Sequence, residues 1–227
     1  RCDIGVKDGR IVAMAERLTD GTKLVDAAGT LVLPGGVDSH CHIEEPSPFG
    51  AVHEDSFITA SASAFVGGTT SVVCFVPHWK GHGIWDRYQD YRRRGATGML
   101  DHAFHQVIAD PTDSVIEQEI PRVVAEGVRS LKVFLTYEPL HLGDREYLKV
   151  LVAARKNGCL VTVHCENYDA IGWRTEELLK AGLTAPKYHA WSRPSVVERE
   201  ATHRAIALAE LVDQPIQIFH VSCAEAA

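Results

Sequence analysis

Residues 34–42, Pro34-Gly35-Gly36-Val37-Asp38-Ser39-His40-Cys41-His42, separate two patterns of sequence and decide the fold. Before them, residues 3–33 are short apolar segments broken at Asp8-Gly9, Asp20-Gly21 and Ala28-Gly29-Thr30, which predicts small antiparallel hairpins. After them, six apolar, β-branched segments alternate with segments of helical spacing, which predicts parallel strands joined by helices. The chain is therefore expected to contain a small β unit followed by a larger α/β unit.

The α/β part has a regular order of strands and helices. Either a doubly wound sheet or a (β/α)8 barrel would satisfy this alternation. No Gly-x-Gly-x-x-Gly or Walker sequence opens a helix, which argues against nucleotide binding on a doubly wound sheet. The predicted strands are 37–43, 71–76, 102–109, 130–136, 160–164 and 216–222, and the predicted helices are 55–65, 115–125, 146–156, 175–181 and 196–211.

Composition excludes several classes of protein. With 227 residues, 45% of them hydrophobic, the chain can bury a substantial core. The net charge of -7 argues against nucleic-acid binding, as does the lack of any basic run longer than residues 92–94. That short run is interpreted as a solvated helix end. No run of about eighteen apolar residues occurs, so a cytoplasmic protein without a membrane partner is expected. The six cysteines form no Cys-x-x-Cys pair and are predicted to be reduced.

Histidines at the ends of predicted strands are the strongest chemical signal. Strand side chains alternate between faces, so His40 and His42 point the same way, and Cys41 points the other way. This spacing suits one metal ion, although a strand with two incidental polar residues is the alternative. His164 and His220 end two later strands, at the side where barrel enzymes place their active groups. Four imidazoles at three strand ends are typical of a zinc or manganese site.

Lys132 lies inside the apolar segment Ser130-Leu131-Lys132-Val133-Phe134-Leu135, where an ammonium group is costly to bury. One interpretation is a lysine that snorkels from a strand edge to solvent. The other is a lysine whose neutral amine is carboxylated, which turns a cation into a carboxylate able to bridge two metal ions.

These residues together resemble the binuclear pattern of the amidohydrolase superfamily: His-x-His on the first barrel strand, lysine on the fourth, and histidine on the fifth and sixth. The resemblance implies a (β/α)8 TIM-type barrel, with six of its eight strands present. Residues 1–33 would be part of a small N-terminal β-sandwich, and residues 34–227 a partial metal-dependent amidohydrolase barrel. The segments that look like hydantoinases and dihydropyrimidinases are 34–38, 67–70, 132–137, 163–167 and 192–194.

The resemblance also implies a reaction and its residues. His40 and His42 would bind the more buried of two divalent ions, His164 and His220 the more exposed one, and carboxylated Lys132 would bridge them. The ions would be zinc, with manganese or cobalt as alternatives. A metal-bridging hydroxide would open the cyclic amide of a hydantoin or dihydropyrimidine, giving an N-carbamoyl amino acid.

Other parts of the site follow from the same resemblance. Tyr137 would bind the substrate and hydrogen-bond the oxyanion of the tetrahedral intermediate, and Phe49 would contact the group exocyclic to the ring. The aspartate that binds metal and shuttles the proton belongs to strand eight. It is expected beyond residue 227, in a longer polypeptide. Relatives are commonly homotetramers, so a tetramer is expected.

Alternatives stay open at this stage. Dihydroorotases carry an arginine shortly after His-x-His, where this chain has Ile43 and Glu44, so a carboxylated ring is disfavoured. An allantoinase-type ureide hydrolase and a non-catalytic, dihydropyrimidinase-like scaffold are the remaining alternatives. The residues do not choose between hydantoin and dihydropyrimidine. His105 is interpreted as a hydrogen-bonded core histidine, with a supporting role beside the metals as the alternative.

Overall fold

The structure is a computed structural model, and it describes residues 2–47, 50–51 and 53–227. The chain divides into two compact units, of which the first ends at Pro34 and the second is Gly35–Ala227. Among the described residues, no helix is both long enough and apolar enough to span a membrane.

Over residues 2–34, the first unit contains one antiparallel hairpin. Strands β1 (Asp3–Lys7) and β2 (Arg10–Ala15) are joined by Asp8 and Gly9, which have φ of 51° and 72°. Two left-handed residues match the twist of the flanking strands, so the predicted turn at this place is confirmed. The hairpins predicted around 20–21 and 28–30 are wrong, because residues 16–34, all of them described, contain no strand. The apolar side chains there are exposed and have no sheet face to cover: Leu24, Val25, Leu31, Val32 and Leu33.

The second unit is a curled parallel sheet with helices between its strands. Each strand pairs in parallel with its neighbour in sequence, in the order β3-β4-β5-β6-β7-β8. A doubly wound sheet would reverse direction at a switch point, so this order confirms the barrel-type fold. The strands are β3 (Gly36–Cys41), β4 (Thr69–Val76), β5 (Asp101–Val107), β6 (Ser130–Phe134), β7 (Leu160–His164) and β8 (Ile216–Ile218).

In the described part of this unit, six α-helices connect the strands. A π-helical turn at Val115–Glu119 and a 3-10 segment at Pro186–Ser192 precede two of them. The predicted helix over 115–125 is therefore π-helical in its first half. The helix predicted over 175–181 begins at Tyr168 in the structure, seven residues earlier than expected. Asn167 caps the first turn of this helix by accepting a hydrogen bond from the Ala170 amide. The helices are α1 (Phe57–Val66), α2 (Trp85–Gly95), α3 (Ile120–Ala125), α4 (Asp144–Asn157), α5 (Tyr168–Lys180) and α6 (Ser195–Leu211).

The two faces of the sheet bury different clusters of side chains. One face packs against the helices, through residues such as Cys74, Leu131, Val133, Val161 and Val163. Because strand side chains alternate, the residues between them face the barrel interior. There Phe75, Val107, Phe134 and Phe219 form a separate apolar group, called here the inner cluster. The helices thus stabilise the barrel from outside, and the inner cluster forms the floor of the site.

The approach of β3 to β4 requires glycine at position 35. A Cβ atom there would lie 2.2 Å from both Thr70 Cγ2 and Oγ1 and 2.7 Å from Thr70 Cβ, and a β-branched side chain has little freedom to move away. We expect Gly35→Ala to lower the free energy of unfolding by about 1–3 kcal/mol. Urea unfolding of the full-length protein measures this change.

Gly172→Ala is the matched control, since a Cβ at Gly172 in α5 meets no atom within 4 Å. Alanine is the better helix former by about 1 kcal/mol, so this variant should be as stable as the parent or more so. Equal effects of the two substitutions would contradict the steric argument at Gly35.

Candidate functional site

His40 and His42 lie together at the carboxyl end of β3, on its inner face. Their ring centroids are 5.7 Å apart. The Phe75 ring lies beneath both, 4.9 Å from His40 and 4.5 Å from His42, on which it stacks. Cys41, between them, packs instead against the cluster on the helix side. The two imidazoles therefore share one face, as alternation requires.

His164 and His220 come from β7 and from the residues after β8, at the edge of the sheet opposite β3. His164 is the last residue of β7, and the His220 ring lies 4.4 Å from it and 5.3 Å from His40. The curl of the sheet thus brings the ends of its first and last strands together. The strand predicted over 216–222 is too long: β8 ends at Ile218, and His220 follows it with a left-handed φ of 41°.

Lys132 points from β6 into the inner cluster and is 1% exposed. Its Nζ atom lies 4.5 Å from the ring centroid of Phe219, 4.7 Å from that of Phe134 and 5.5 Å from that of Phe75. Nζ makes no hydrogen bond to any described residue. Burial lowers the pKa of Lys132 from 10.5 to about 7, so much of the amine is neutral near neutral pH. A lysine that snorkels to solvent is excluded by this burial.

Two of the histidines each have one ring nitrogen paired with a carboxylate, and the sequence pattern did not single out either carboxylate as a partner. Glu45 pairs with His42 Nδ1, and Glu166 Oε2 accepts from His164 Nε2 at 2.8 Å. Carboxylates in this position fix the ring and its tautomer, leaving the opposite nitrogen to bind a metal. Glu166 also accepts from Arg193 Nη1 at 2.7 Å. Burial would raise the pKa of Glu166, but hydrogen bonds from His164 and Arg193 outweigh it and lower the pKa.

The predicted ligands are neighbours, but they do not form a finished coordination sphere. Within the described ranges, no group of three or more histidine, cysteine, aspartate and glutamate side chains could hold a metal ion as it stands. One ring nitrogen of His42 and one of His164 are paired with carboxylates, so each ring has a single nitrogen left for a metal. What the structure brings together is a connected set of four rings above a buried lysine.

Tyr137 stands at the edge of this set. It lies three residues beyond β6 with a left-handed φ of 64°, and its side chain is 37% exposed. Its ring centroid is 5.0 Å from that of His164, and the Arg193 guanidinium carbon lies 5.5 Å from its ring. Burial, together with the charge of Glu166, raises the pKa of Tyr137, so its hydroxyl is a hydrogen-bond donor at neutral pH. Phe49, predicted to contact substrate, lies outside the described residues.

The amino-acid sequence is similar to those of known proteins along nearly its whole length. The chain is 43% identical over 227 residues to the D-hydantoinase of Ralstonia pickettii, covering 99% of this chain and 49% of that protein. It is 33% identical over 233 residues to the dihydropyrimidinase of Rattus norvegicus, covering 99% of this chain and 45% of that protein. No family model matches the chain.

A solved D-hydantoinase structure has the same fold. It matches this chain with a TM-score of 0.94 and 42% identity, over 100% of this chain and 50% of the other. The chain therefore spans about half the length of the relatives that it matches.

The buried amine of Lys132 is predicted to cost stability when no metal is bound. An amine without a hydrogen-bond partner loses its hydration and gains only ring contacts, so an apolar side chain of similar length should be better tolerated. We expect Lys132→Met to raise the free energy of unfolding of the chelator-treated, full-length protein by about 1–3 kcal/mol. Urea unfolding with and without chelator measures the difference.

Lys149→Met is the matched control. Lys149 is on α4, half exposed, with Nζ 3.6 Å from the exposed Asp113 carboxylate. Exposed pairs of this kind contribute little, so its effect should stay within about 0.5 kcal/mol. A chelator-treated Lys132→Met protein that is less stable than the parent would show that the amine has a favourable partner in solution.

Proposed function

The chain belongs to the hydantoinase and dihydropyrimidinase family of the amidohydrolase superfamily, over the half of its relatives' length that it spans, and on that premise we propose that the protein is a cyclic amide hydrolase. Its substrates would be hydantoins or dihydropyrimidines, and its products N-carbamoyl amino acids. The observation that carries the proposal is Lys132, a buried amine with a lowered pKa and no hydrogen-bond partner among the described residues, beneath four clustered imidazoles.

Carboxylation would give the Lys132 amine a role that its surroundings otherwise lack. The neutral Nζ attacks the carbon of carbon dioxide, so that one N–C bond forms and the electrons of one C=O π bond move to oxygen. One N–H proton passes to solvent, and a carbamate with a single negative charge results. An anion at this depth requires cations beside it. Imidazoles and a carboxylate are donors that zinc accepts, so the chemistry of these side chains, although not yet their arrangement, suits two divalent ions. His40 and His42 would hold one, His164 and His220 the other, and carboxylated Lys132 both.

The chain's own residues would bind and orient the reacting groups. When bound, two divalent ions lower the pKa of a water molecule and polarise the attacked carbonyl. Glu45 would orient His42, and Glu166, neutralised by Arg193, would orient His164. Tyr137, whose ring lies near both Arg193 and His164, would bind the substrate and donate a hydrogen bond to the oxygen that gains charge.

The finer assignments belong to the same proposal. Zinc is favoured, with manganese and cobalt as alternatives, because histidine and carboxylate donors suit all three. A homotetramer in the cytoplasm is proposed from the resemblance to this family. A scaffold protein of this family would be expected to have lost ligands, whereas His40, His42, Lys132, His164 and His220 are all present and adjacent.

Metal content and mass test the centre itself. We expect full-length protein, expressed with zinc and bicarbonate supplied, to carry two divalent ions per chain by elemental analysis. After brief acid treatment its native mass should fall by the mass of one carbon dioxide per chain in addition to that of the metal ions, which acid also releases. Chelator should remove both the metal and the hydrolysis of hydantoin and dihydrouracil.

Lys132→Met serves as the control for the mass measurement, because it has no amine to carboxylate. It should show no acid-labile mass, little metal and no hydrolysis. Parent protein that purifies without metal and with an unmodified lysine would contradict the hydrolase and favour the scaffold alternative. Metal-loaded protein that opens allantoin, but neither hydantoin nor dihydrouracil, would favour the allantoinase alternative.

Tyr137 is tested by removing its hydroxyl alone. We expect Tyr137→Phe to lower kcat by about 100- to 1,000-fold while the metal content stays at the parent level, since a lost oxyanion donor typically costs that much. Tyr188→Phe is the matched control, because that ring contacts Trp191 in the 3-10 segment. A kcat for Tyr137→Phe within a few-fold of the parent would remove Tyr137 from the proposed mechanism.

A further inference from the structure

The strand that carries His40 and His42 is irregular at the point where it carries them. Asp38 of β3 is opposite Val72 of β4, but the next pair is Cys41 with Cys74. Two residues of β3, Ser39 and His40, therefore stand opposite the single residue Val73. This is a β-bulge, which interrupts the ladder locally and re-aims side chains.

Two side chains hold the peptide group at the centre of this bulge. The His40 amide donates to Asp38 Oδ1 at 2.9 Å, and the Ser39 carbonyl accepts from His105 Nε2 at 3.0 Å. These N–H and C=O groups belong to one peptide unit, the bond between Ser39 and His40. Its orientation sets where the His40 side chain leaves the strand, and that of His42 after it.

His105 reaches this peptide from β5 across the inner face of β4. It is 8% exposed and stacks on Phe75 with ring centroids 5.1 Å apart. Its Nδ1 contacts the Ser130 hydroxyl on β6. Since a carbonyl can only accept, Nε2 carries the proton, and in a neutral ring Nδ1 accepts from Ser130. Burial lowers the pKa of His105, which agrees with a neutral ring.

We infer that His105 is a positioning residue for His40 and His42: its Nε2–H fixes the Ser39–His40 peptide of the bulge and so aims the two imidazoles. Its link to metal rests on the proposed function, whereas the fixing of the peptide does not. Hydrogen-bond partners that orient ligands typically change metal affinity by about 10- to 100-fold when removed. The Ser130 contact, at the opposite nitrogen, serves only to hold the ring.

Three substitutions in the full-length protein separate the donated hydrogen bond from packing. His105→Phe keeps a ring on Phe75 but removes both nitrogens. His105→Gln places an amide N–H near the position of Nε2 and gives up the stacking. Ser130→Ala, the matched control, removes the partner of Nδ1 and leaves the bond to Ser39. His105→Asn, whose amide is too short to reach Ser39, replaces His105→Phe if that variant does not fold.

Hydrogen exchange of metal-free protein tests the fixing of the peptide. Amides of residues 36–42 should exchange about 10-fold faster in His105→Phe, close to the parent rate in His105→Gln and Ser130→Ala, with residues 160–164 unchanged in all three. Zinc affinity should fall about 10- to 100-fold in His105→Phe and less than about 3-fold in the other two.

The two readouts distinguish failure of the inference from failure of the proposed function. Unchanged exchange at 36–42 in His105→Phe overturns the inference, whatever the metal content. Equal zinc affinity in His105→Phe and the parent overturns its bearing on the ligands. If His105→Phe exchanges faster at 36–42 and His105→Gln restores the parent rate, the fixing of the peptide is supported. If the parent protein also binds no zinc, the binuclear function is overturned while the fixing of the peptide stands.

Discussion

The burial of the Lys132 amine among aromatic rings is the constraint on which the site depends. An ammonium group at that depth would need a counter-charge, and the rings of Phe75, Phe134 and Phe219 give it contacts but no acceptor. Burial therefore favours the neutral amine, or its conversion to another group, over the ammonium form. The phenylalanine rings beneath the imidazoles carry no hydrogen-bonding groups of their own.

The alternation of strand faces lets one sheet serve two purposes. Leu131 and Val133 on either side of Lys132, and Val161 and Val163 beside His164, pack against the helices. The residues between them face inward and carry the polar chemistry. Stability is therefore supplied by the outer face, so the inner face can hold groups that stabilise nothing, such as an unpaired amine. A one-residue slip of β6 would exchange the two sets, which makes the register as important as the residues.

Spacing in the sequence predicted what local geometry controls. His40 and His42 share a face because strands have a period of two, and β7 has the predicted bounds because Gly158 ends the preceding helix in a left-handed conformation. The carboxylate partners Glu45 and Glu166 were missed, although each follows its histidine by only two or three residues. The signal was present, but acidic residues in loops are usually solvated. The start of α2 escaped prediction because its many charges leave a narrow apolar stripe of Trp85, Tyr88 and Tyr91. The bulge at Ser39 depends on the partner strand, so periodicity within one strand cannot show it.

The departures from regular backbone are concentrated where the strands end at the site. Glu44, Tyr137 and His220 have left-handed φ angles and follow β3, β6 and β8, respectively. Such conformations cost non-glycine residues free energy, and they persist where surrounding contacts hold them. For Glu44 those contacts are explicit: its carboxylate accepts from the Phe57 amide and Arg94, and its carbonyl accepts from the Tyr91 hydroxyl. The loop after His42 is thus anchored to α1 and α2, on the helix side of the sheet. The same outer layer that stabilises the barrel therefore also sets the direction in which the chain leaves the site.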